Sequence, residues 1–373
     1  MITAGIRICI CQHRKTSIMD KQFSRKIIFF NFLYSIIILL YHADAGVHFS
    51  GIVSTGTALD SAAQRINLLL AGSNGTYFFM LLSAFLLYRD LSGDKIKGKL
   101  HRRIQTLLIP WFLWNGIGLL SYHEFDKGFS YLLRYYFTSR FCEQLWFVEA
   151  LMILLLFIPL FRRLFKIKYV REAVLLAVFV TGYFRFPFLR SADFFPSERF
   201  QMEVLRVLEH VPVYCLGAYL GLNFADFVVS EEYNTRHRML SLAAALLILF
   251  VSCAFPYCFA GYVSGRLQSV AIWIILSKKY FTFEPAWWMQ LSFYTYAIHN
   301  FVLHWEGKII RITGIFAEEF AGAAVSEVFA LLWRVSLSGI AFLLIIVSAK
   351  ILMRFTPGFY KALSGGRLPE RKS

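Results

Sequence analysis

The sequence has few charged residues for its length. Asp, Glu, Lys and Arg make up only 17% of its 373 residues, whereas apolar residues make up 58%. A soluble domain typically contains about 25% charged and about 45–50% apolar residues. A globule with this composition would expose large apolar patches to water, so a soluble enzyme, a disordered chain and a secreted disulfide scaffold are all excluded. A polytopic membrane protein, whose apolar surface faces lipid, fits instead.

Familiar site motifs are also missing. The sequence has no GxSxG, no HExxH, no P-loop and no GxGxxG. Its six cysteines follow no disulfide or zinc spacing, and Cys9, Cys11 and His13 together are one ligand short of a zinc site. The polar group at 123–126 is more simply a solvated loop, and we expect no metal. The net charge of +16 does not indicate nucleic acid as a partner, because cytoplasmic loops of membrane proteins are rich in Lys and Arg.

What the chain does have is a series of long apolar runs. A transmembrane helix needs about 20 mostly apolar residues, and ten segments meet or approach this length. We therefore predict an all-α membrane helix bundle that forms one membrane domain over residues 27–352, between a basic N-terminal tail (1–26) and a C-terminal tail (353–373). The predicted spans are 27–43, 74–89, 105–122, 144–162, 171–185, 209–229, 239–260, 264–281, 286–305 and 326–352.

The distribution of basic residues predicts the orientation of these spans. When the last four residues at each span end are counted with the adjoining segment and the N-terminus is placed in the cytoplasm, 27 of the 39 Lys and Arg fall on the cytoplasmic side and 11 on the outer side. Arg334 alone lies deep within a span. This excess on one side follows the positive-inside rule. We expect both tails in the cytoplasm, and an integral protein of a bacterial cytoplasmic (inner) membrane with membrane lipid as a partner.

Three ionisable residues stand within or at the ends of predicted spans. His42 ends the first span, Glu149 lies in the fourth, and His299 lies in the ninth. Ionisable groups are costly in hydrocarbon and often functional there. Each has a simple structural explanation alone, as an interfacial group or a paired carboxylate. All three are predicted at a similar depth near the outer side, however, and convergent groups are what a reaction site needs.

A basic cluster precedes the third span on the predicted cytoplasmic side. It contains Lys97, Lys99, Arg102 and Arg103. These residues could anchor the span to anionic lipid. Alternatively, Arg102 and Arg103 could hold a phosphate-bearing donor, since guanidinium groups pair well with phosphate. Composition does not separate the two.

Several stretches, taken in order, resemble the acyltransferase-3 family over roughly residues 27–305. They are the first span ending in YH, then TYFFMLLSAFLLYRDL, HRRIQTLLIPWFLW, QLWFVEALMILLLFIPL, VYCLGAYLGL and LSFYTYAIHNFVL. Members of this family are integral membrane acyltransferases that modify sugars, often by O-acetylating cell-surface polysaccharides. The resemblance implies acyl-CoA, with acetyl-CoA the expected form, as the donor substrate.

The resemblance also implies roles for single residues. His42 matches the family's first-helix histidine, the expected catalytic base, and His299 matches the histidine of the ninth helix. Arg103 matches a basic position seven residues before Pro110, and Trp146 matches the tryptophan of the family's LWF motif.

This sequence departs from the family pattern at three places. The family usually has an arginine ten or eleven residues before the first-helix histidine, and those two positions are Phe32 and Asn31 here. A commonly basic position before Pro110 is Thr106, and the usual SGF is SAF at 83–85.

These observations lead to two hypotheses. The first is an O-acyltransferase with a saccharide acceptor, in which His42 activates a sugar hydroxyl. Trp146 or Tyr294 would supply hydrogen bonds to the oxyanion, and Glu149 and His299 would complete the catalytic group. The alternative is a transporter or flippase of a lipid-linked or sugar substrate, in which Glu149 and His299 would line a proton or substrate path.

Overall fold

The structure is a computed structural model and consists almost entirely of helices. It describes residues 21–43, 51–53, 56–70, 74–89, 96–122, 128–137, 140–190, 198–231, 235–255, 257–313 and 324–369. The all-α prediction is confirmed for these residues, whose strands are limited to one short parallel pair, β1 (Gly51–Val53) and β2 (Ala324–Ser326).

Fifteen α-helices follow one another along the described chain. They are α1 (Lys21–His42), α2 (Ala58–Leu70), α3 (Asn74–Tyr88), α4 (Ile96–Tyr122), α5 (Phe129–Tyr136), α6 (Trp146–Leu155), α7 (Ile158–Leu164), α8 (Val170–Arg190), α9 (Glu198–Asn223), α10 (Ala225–Ser230), α11 (Thr235–Ala254), α12 (Phe259–Ile275), α13 (Ser292–Thr313), α14 (Glu327–Phe355) and α15 (Pro357–Leu363). Short 3₁₀ helices occupy Arg140–Leu145, Lys278–Tyr280 and Trp287–Leu291.

Each predicted span overlaps a helix or a bent helix pair. Four helices, α1, α4, α11 and α14, are long and apolar enough to cross a membrane. A fifth candidate is the bent pair of α6, with the 3₁₀ turn before it, and α7, whose axes differ by 62°. The structure thus supports an integral membrane helix bundle with four or five such helices, and the full set of ten spans stays a prediction.

The bend between α6 and α7 has a local cause. Pro159 occupies the first turn of α7, where a proline is tolerated because it lacks a backbone N–H and has a fixed φ. A continuous helix would need that N–H at the same place. The chain therefore breaks at Leu156 and Phe157 and restarts.

Small residues allow close contact where helices cross. A Cβ on Gly217 of α9 would lie 2.3 Å from the Leu81 carbonyl oxygen of α3. A Cβ on Gly118 of α4 would lie 2.0 Å from the Phe141 carbonyl oxygen. Only glycine fits these contacts, and the second one holds the Arg140–Leu145 turn against α4.

Both ends of the described chain lie at the same end of the bundle. Lys21, at the start of α1, and Pro369, the last described residue, line one cavity together with Lys350 of α14. The parallel pair β1–β2 instead joins the segment after α1 to the start of α14.

Candidate active site

A pair of histidines forms the centre of the candidate site. The rings of His42 and His299 lie with their centroids 5.1 Å apart and their planes at 40°. His42 is exposed at the end of α1, whereas His299 is buried in α13. We call these two residues the histidine pair.

The ring of His299 is held in one orientation. Its Nδ1 lies 2.6 Å from the Tyr296 carbonyl oxygen one turn earlier in α13. A carbonyl can only accept a hydrogen bond, so Nδ1 carries the proton and Nε2 of the neutral ring has a lone pair. Within the described part of the chain, Nε2 is buried without a hydrogen-bond partner. The ring therefore keeps an unused acceptor beside His42.

The turn before α6 supports this part of α13. Gln144 Nε2 donates to the Ala297 carbonyl oxygen at 2.7 Å, and Asn300 Nδ2 donates to Gln144 Oε1 at 3.1 Å. The Tyr296 hydroxyl donates to the Gln144 carbonyl oxygen. One buried glutamine thus connects the Arg140–Leu145 turn to the residues on both sides of His299.

A cavity of about 450 Å³ lies beneath Tyr296, on the side towards the chain ends. Its polar lining includes Asn31 of α1, Arg103 of α4, Gln290, Tyr296 and Arg367. Arg103 and Arg367 carry its only charges among the described lining residues, which include no carboxylate. We call it the arginine cavity.

A larger cavity of about 940 Å³ adjoins the arginine cavity, and Ile28, Gln290 and Pro369 line both. The cavity is lined by four basic residues, which are Lys21, Arg25, Lys350 and Arg354. Its one described carboxylate is Glu284, which pairs with Arg25. We call this cavity the basic vestibule.

Helix geometry gives the order of these features along the bundle. At about 1.5 Å per residue, Asn31 in the arginine cavity lies roughly 15 Å along α1 from Lys21 in the vestibule. His42 lies roughly 16 Å farther along the same helix. In α13, His299 comes one turn after Tyr296, which lines the cavity. The vestibule, the arginine cavity and the histidine pair therefore follow one another from one end of the bundle towards the other.

The other residues that the sequence pointed to neither belong to the histidine pair nor line the arginine cavity, although Glu149 lies close enough to Tyr296 to interact with it electrostatically. Glu149 accepts a hydrogen bond from Trp111 Nε1 at 3.1 Å. Tyr294 is buried with its hydroxyl 3.1 Å from Ser348 Oγ and does not line the arginine cavity. Arg102 is exposed and does not line that cavity either. The structure thus brings His42 and His299 together and separates Arg103 from its neighbour.

Trp146 belongs to a different polar group. The centroid of the Trp146 ring lies 4.9 Å from the centroid of the His210 ring and 5.8 Å from the Arg206 guanidinium. His210 in turn contacts Thr76 Oγ1 at 2.9 Å. Apart from the adjacent Phe147, the described ring contacts of Trp146 are therefore with α9, which His210 joins to α3, and not with the histidine pair.

A charged group beside Trp146 was not anticipated from the sequence. Glu209 of α9 accepts hydrogen bonds from the Tyr77 hydroxyl and from Arg266 Nη2, the latter at 3.3 Å. Arg266 also lies over the Tyr262 ring at 3.5 Å. We call Tyr77, Glu209, His210 and Arg266 the Glu209 network. Charged residues at or near the starts of two predicted spans, at 206, 209 and 266, were the signal that could have found it.

Two more residues escaped the sequence reasoning. Glu306 lies seven residues after His299, on the same face of α13, and is buried with neither carboxylate oxygen hydrogen-bonded within the described residues. Arg367 stands in a segment interpreted as a tail. Its only sequence signal was the preceding Gly365-Gly366, which is typical of a turn.

No set of three or more His, Cys, Asp or Glu side chains in the described ranges could hold a metal ion. The two groups of candidate metal ligands that the sequence contains, at 9–13 and 123–126, lie outside those ranges.

Comparison with known proteins covers almost the whole described bundle. An acyltransferase-3 family model, described as an acyltransferase domain, matches residues 32–351. No curated protein and no solved structure matches the chain.

Proposed function

The chain belongs to the acyltransferase-3 family, and we propose that it moves an acyl group from acyl-CoA to a hydroxyl of a cell-surface or exopolysaccharide sugar, with acetyl the expected group. The family match and the apolar helices together make it a membrane acyltransferase. The observation that carries the finer proposal is the position of the histidine pair beyond two adjoining basic cavities.

The basic cavities suit the donor. The phosphates of acyl-CoA are anionic, and guanidinium and ammonium groups bind such anions through charge-assisted hydrogen bonds. The phosphates bind in the vestibule and beside Arg103, and the thioester arm extends past Tyr296 towards His299. Arg103 already donates Nη2 to the Ser83 carbonyl oxygen at 3.3 Å, which holds its side chain in the cavity.

The histidine pair suits the reaction. A sugar hydroxyl is a weak nucleophile at neutral pH and needs a base. His42 takes the hydroxyl proton as the oxygen forms a bond to the thioester carbonyl carbon. The tetrahedral intermediate then collapses, the carbon–sulfur bond breaks, and the proton returns from His42 to the leaving thiolate. His299, whose ring is fixed through Nδ1 and packs against the His42 ring, limits the orientations that the His42 ring can adopt.

Neither oxyanion donor expected from the sequence is placed for that role by its described contacts. Tyr294 bonds to Ser348, and Trp146 stacks with His210. We assign no oxyanion donor from the described residues. Glu149 is likewise left as a partner of Trp111.

The direct test uses purified protein in lipid nanodiscs. Wild type should release free thiol from acetyl-CoA only when a saccharide acceptor is present. In cells, mass spectrometry of surface glycans should show loss of an acyl group when the gene is deleted. Loss of the whole polymer with its acyl content unchanged would favour the transporter or flippase.

The orientation is a separate prediction. If both chain ends face the cytoplasm, where acyl-CoA is made, a reporter fused after Arg171 or after Lys350 should read as cytoplasmic. A control fusion after Asp126 should read as outside. A reporter after Lys350 that reads as outside would contradict the proposed path of the donor.

A further inference from the structure

The chain does not simply leave the bundle after its last long helix. α15 follows α14 after a break at Thr356 and is itself followed by residues 364–369, which we call the C-terminal strap. The strap turns back at Gly365 and Gly366, whose φ angles are +66° and +82°. Glycine is the residue that adopts this left-handed conformation without steric cost. The strap therefore has a built-in reversal.

The strap is packed firmly against α4. A Cβ on Gly365 would lie 2.6 Å from the Thr106 carbonyl oxygen. Just before the strap, the Leu363 carbonyl oxygen accepts a hydrogen bond from Trp114 Nε1 at 3.1 Å. Within the strap, Ser364 Oγ donates to the Arg367 carbonyl oxygen at 2.6 Å. These contacts fix the backbone that carries Arg367.

The strap thus places Arg367 in the lining of the arginine cavity, together with the positive charge of Arg103. Its guanidinium lies 5.0 Å from the centroid of the Phe293 ring. Desolvation, with a smaller contribution from the nearby charge of Arg103, lowers the pKa of Arg367 to about 10, although part of the residue is exposed to solvent. At neutral pH both arginines are still charged. Because the described lining residues include no carboxylate, the two charges repel each other in a confined space without a described counterion.

Two like charges held together in this way are stabilised by an anion between them. The cavity adjoins a vestibule with an excess of positive charge, and α1 contributes only Asn31 as a polar side chain to the lining of the cavity. We propose that Arg367 is a donor-binding residue, that it and Arg103 hold one phosphate-bearing part of the donor from two sides, and that the C-terminal strap forms a wall of the donor site. This inference rests on the proposed function for the identity of the donor.

The test compares two cations of the same C-terminal segment. Arg367→Gln removes the charge in the cavity, while Lys361→Gln removes an exposed charge of α15 that lines neither cavity. We expect Arg367→Gln to raise KM for acetyl-CoA by about 10–100-fold with kcat within about threefold, the size of a lost charge-assisted hydrogen bond. Arg367→Lys should recover part of this loss, and Lys361→Gln should behave as wild type.

A second variant tests the strap rather than the charge. Gly365→Ala keeps Arg367 but places a methyl group against the Thr106 carbonyl and strains a left-handed residue. It should raise KM for the donor in the same direction as Arg367→Gln. A melting curve for each variant in detergent shows whether it is folded.

Binding without turnover separates this inference from the proposed function. Inorganic pyrophosphate and CoA, added without acceptor, should bind to wild type and at least tenfold more weakly to folded Arg367→Gln. If this difference is found but no acyl product ever forms, the arginine site stands and the acyltransferase proposal fails. If transfer occurs and Arg367→Gln binds both probes as wild type does, Arg367 has no part in the donor site.

Discussion

The arginine cavity and the Glu209 network use the same kind of residue in opposite ways. In the network, Arg266 contacts a carboxylate and two aromatic rings, those of Tyr262 and Tyr77. In the cavity, Arg103 and Arg367 share a space of about 450 Å³ whose described lining includes no carboxylate. A buried cation with a partner holds helices together, whereas confined cations without one create affinity for an anion.

A second paired cation follows the pattern of Arg266. The Lys26 ammonium in α1 is completely buried, pairs with Glu231, donates to the Trp273 carbonyl oxygen at 2.8 Å and lies 4.1 Å from the centroid of the Trp273 ring. Glu231 also accepts from the Lys278 backbone N–H at 2.7 Å. This pair joins α1 to the segment after α10 and to α12. Burial alone therefore does not mark a ligand site in this protein.

The largest expected effect comes from changing His42, which lies beyond the arginine cavity as seen from the basic vestibule. His42→Ala should lower the acyl-transfer rate by about 10²–10⁴-fold, the usual cost of losing a positioned base. His42→Gln should not restore it, because an amide does not take up a proton near neutral pH. The exposed His42 contributes little to packing, so the melting temperature should not change. The control is His237→Ala, which changes an exposed histidine at the start of α11. A folded His42→Ala protein with wild-type turnover would remove His42 from the mechanism.

Lys26→Met should produce the largest loss of stability. Removing one partner of a buried ion pair leaves the other charge uncompensated, at a cost of about 3–5 kcal/mol. Thermal unfolding in nanodiscs should show this as a lower melting temperature, while the folded fraction should keep its KM for the donor. The double variant Lys26→Met with Glu231→Gln should regain part of the loss. An unchanged melting temperature would mean that the pair is not a structural contact.

Arg103→Ala should show the opposite pattern. The donor should bind more weakly by about 1.5–3 kcal/mol, the value of a hydrogen bond to a charged group. Arg103→Lys should recover only part, since lysine cannot form the bidentate contact. The ligand-free protein should not be destabilised, because the change removes one of two repelling charges. Wild-type dependence on acyl-CoA in a folded variant would reduce Arg103 to a lipid anchor.

The smallest expected effect is a change in how strongly CoA stabilises the protein. It compares directly a cation of the arginine cavity, Arg103, with a cation paired to a carboxylate, Lys26. CoA at about 100 times its Kd should stabilise wild type by about 2.7 kcal/mol. The stabilisation should fall to about 0.3–1.3 kcal/mol in Arg103→Ala and stay in full in Lys26→Met, because only the first change affects the donor site. Melting temperatures with and without CoA provide the measurement. Equal stabilisation of both variants would show that CoA binds elsewhere.

Sequence reasoning succeeded where the signal was local. Apolar runs predicted helices at the right places, since the cost of exposing or burying a side chain depends mainly on that residue and its neighbours along the chain. The family resemblance was confirmed by the match over residues 32–351. The same reasoning put Arg102 and Arg103 together, yet only Arg103 lines the cavity, because adjacent helical residues point in directions about 100° apart.

The sequence by itself determined that this protein is an α-helical membrane protein of the acyltransferase-3 family, and it identified His42 and His299 as residues to examine. Only the tertiary structure decided which polar groups meet. The contact between His42 and His299, the pairing of Arg266 with Glu209, and the arrival of Arg367 opposite Arg103 all join parts of the chain that are far apart. The last of these depends on a reversal at Gly365 and Gly366 and on the fit of the strap against α4. Hydropathy measures the cost of burying a residue but does not say which residue will lie opposite it.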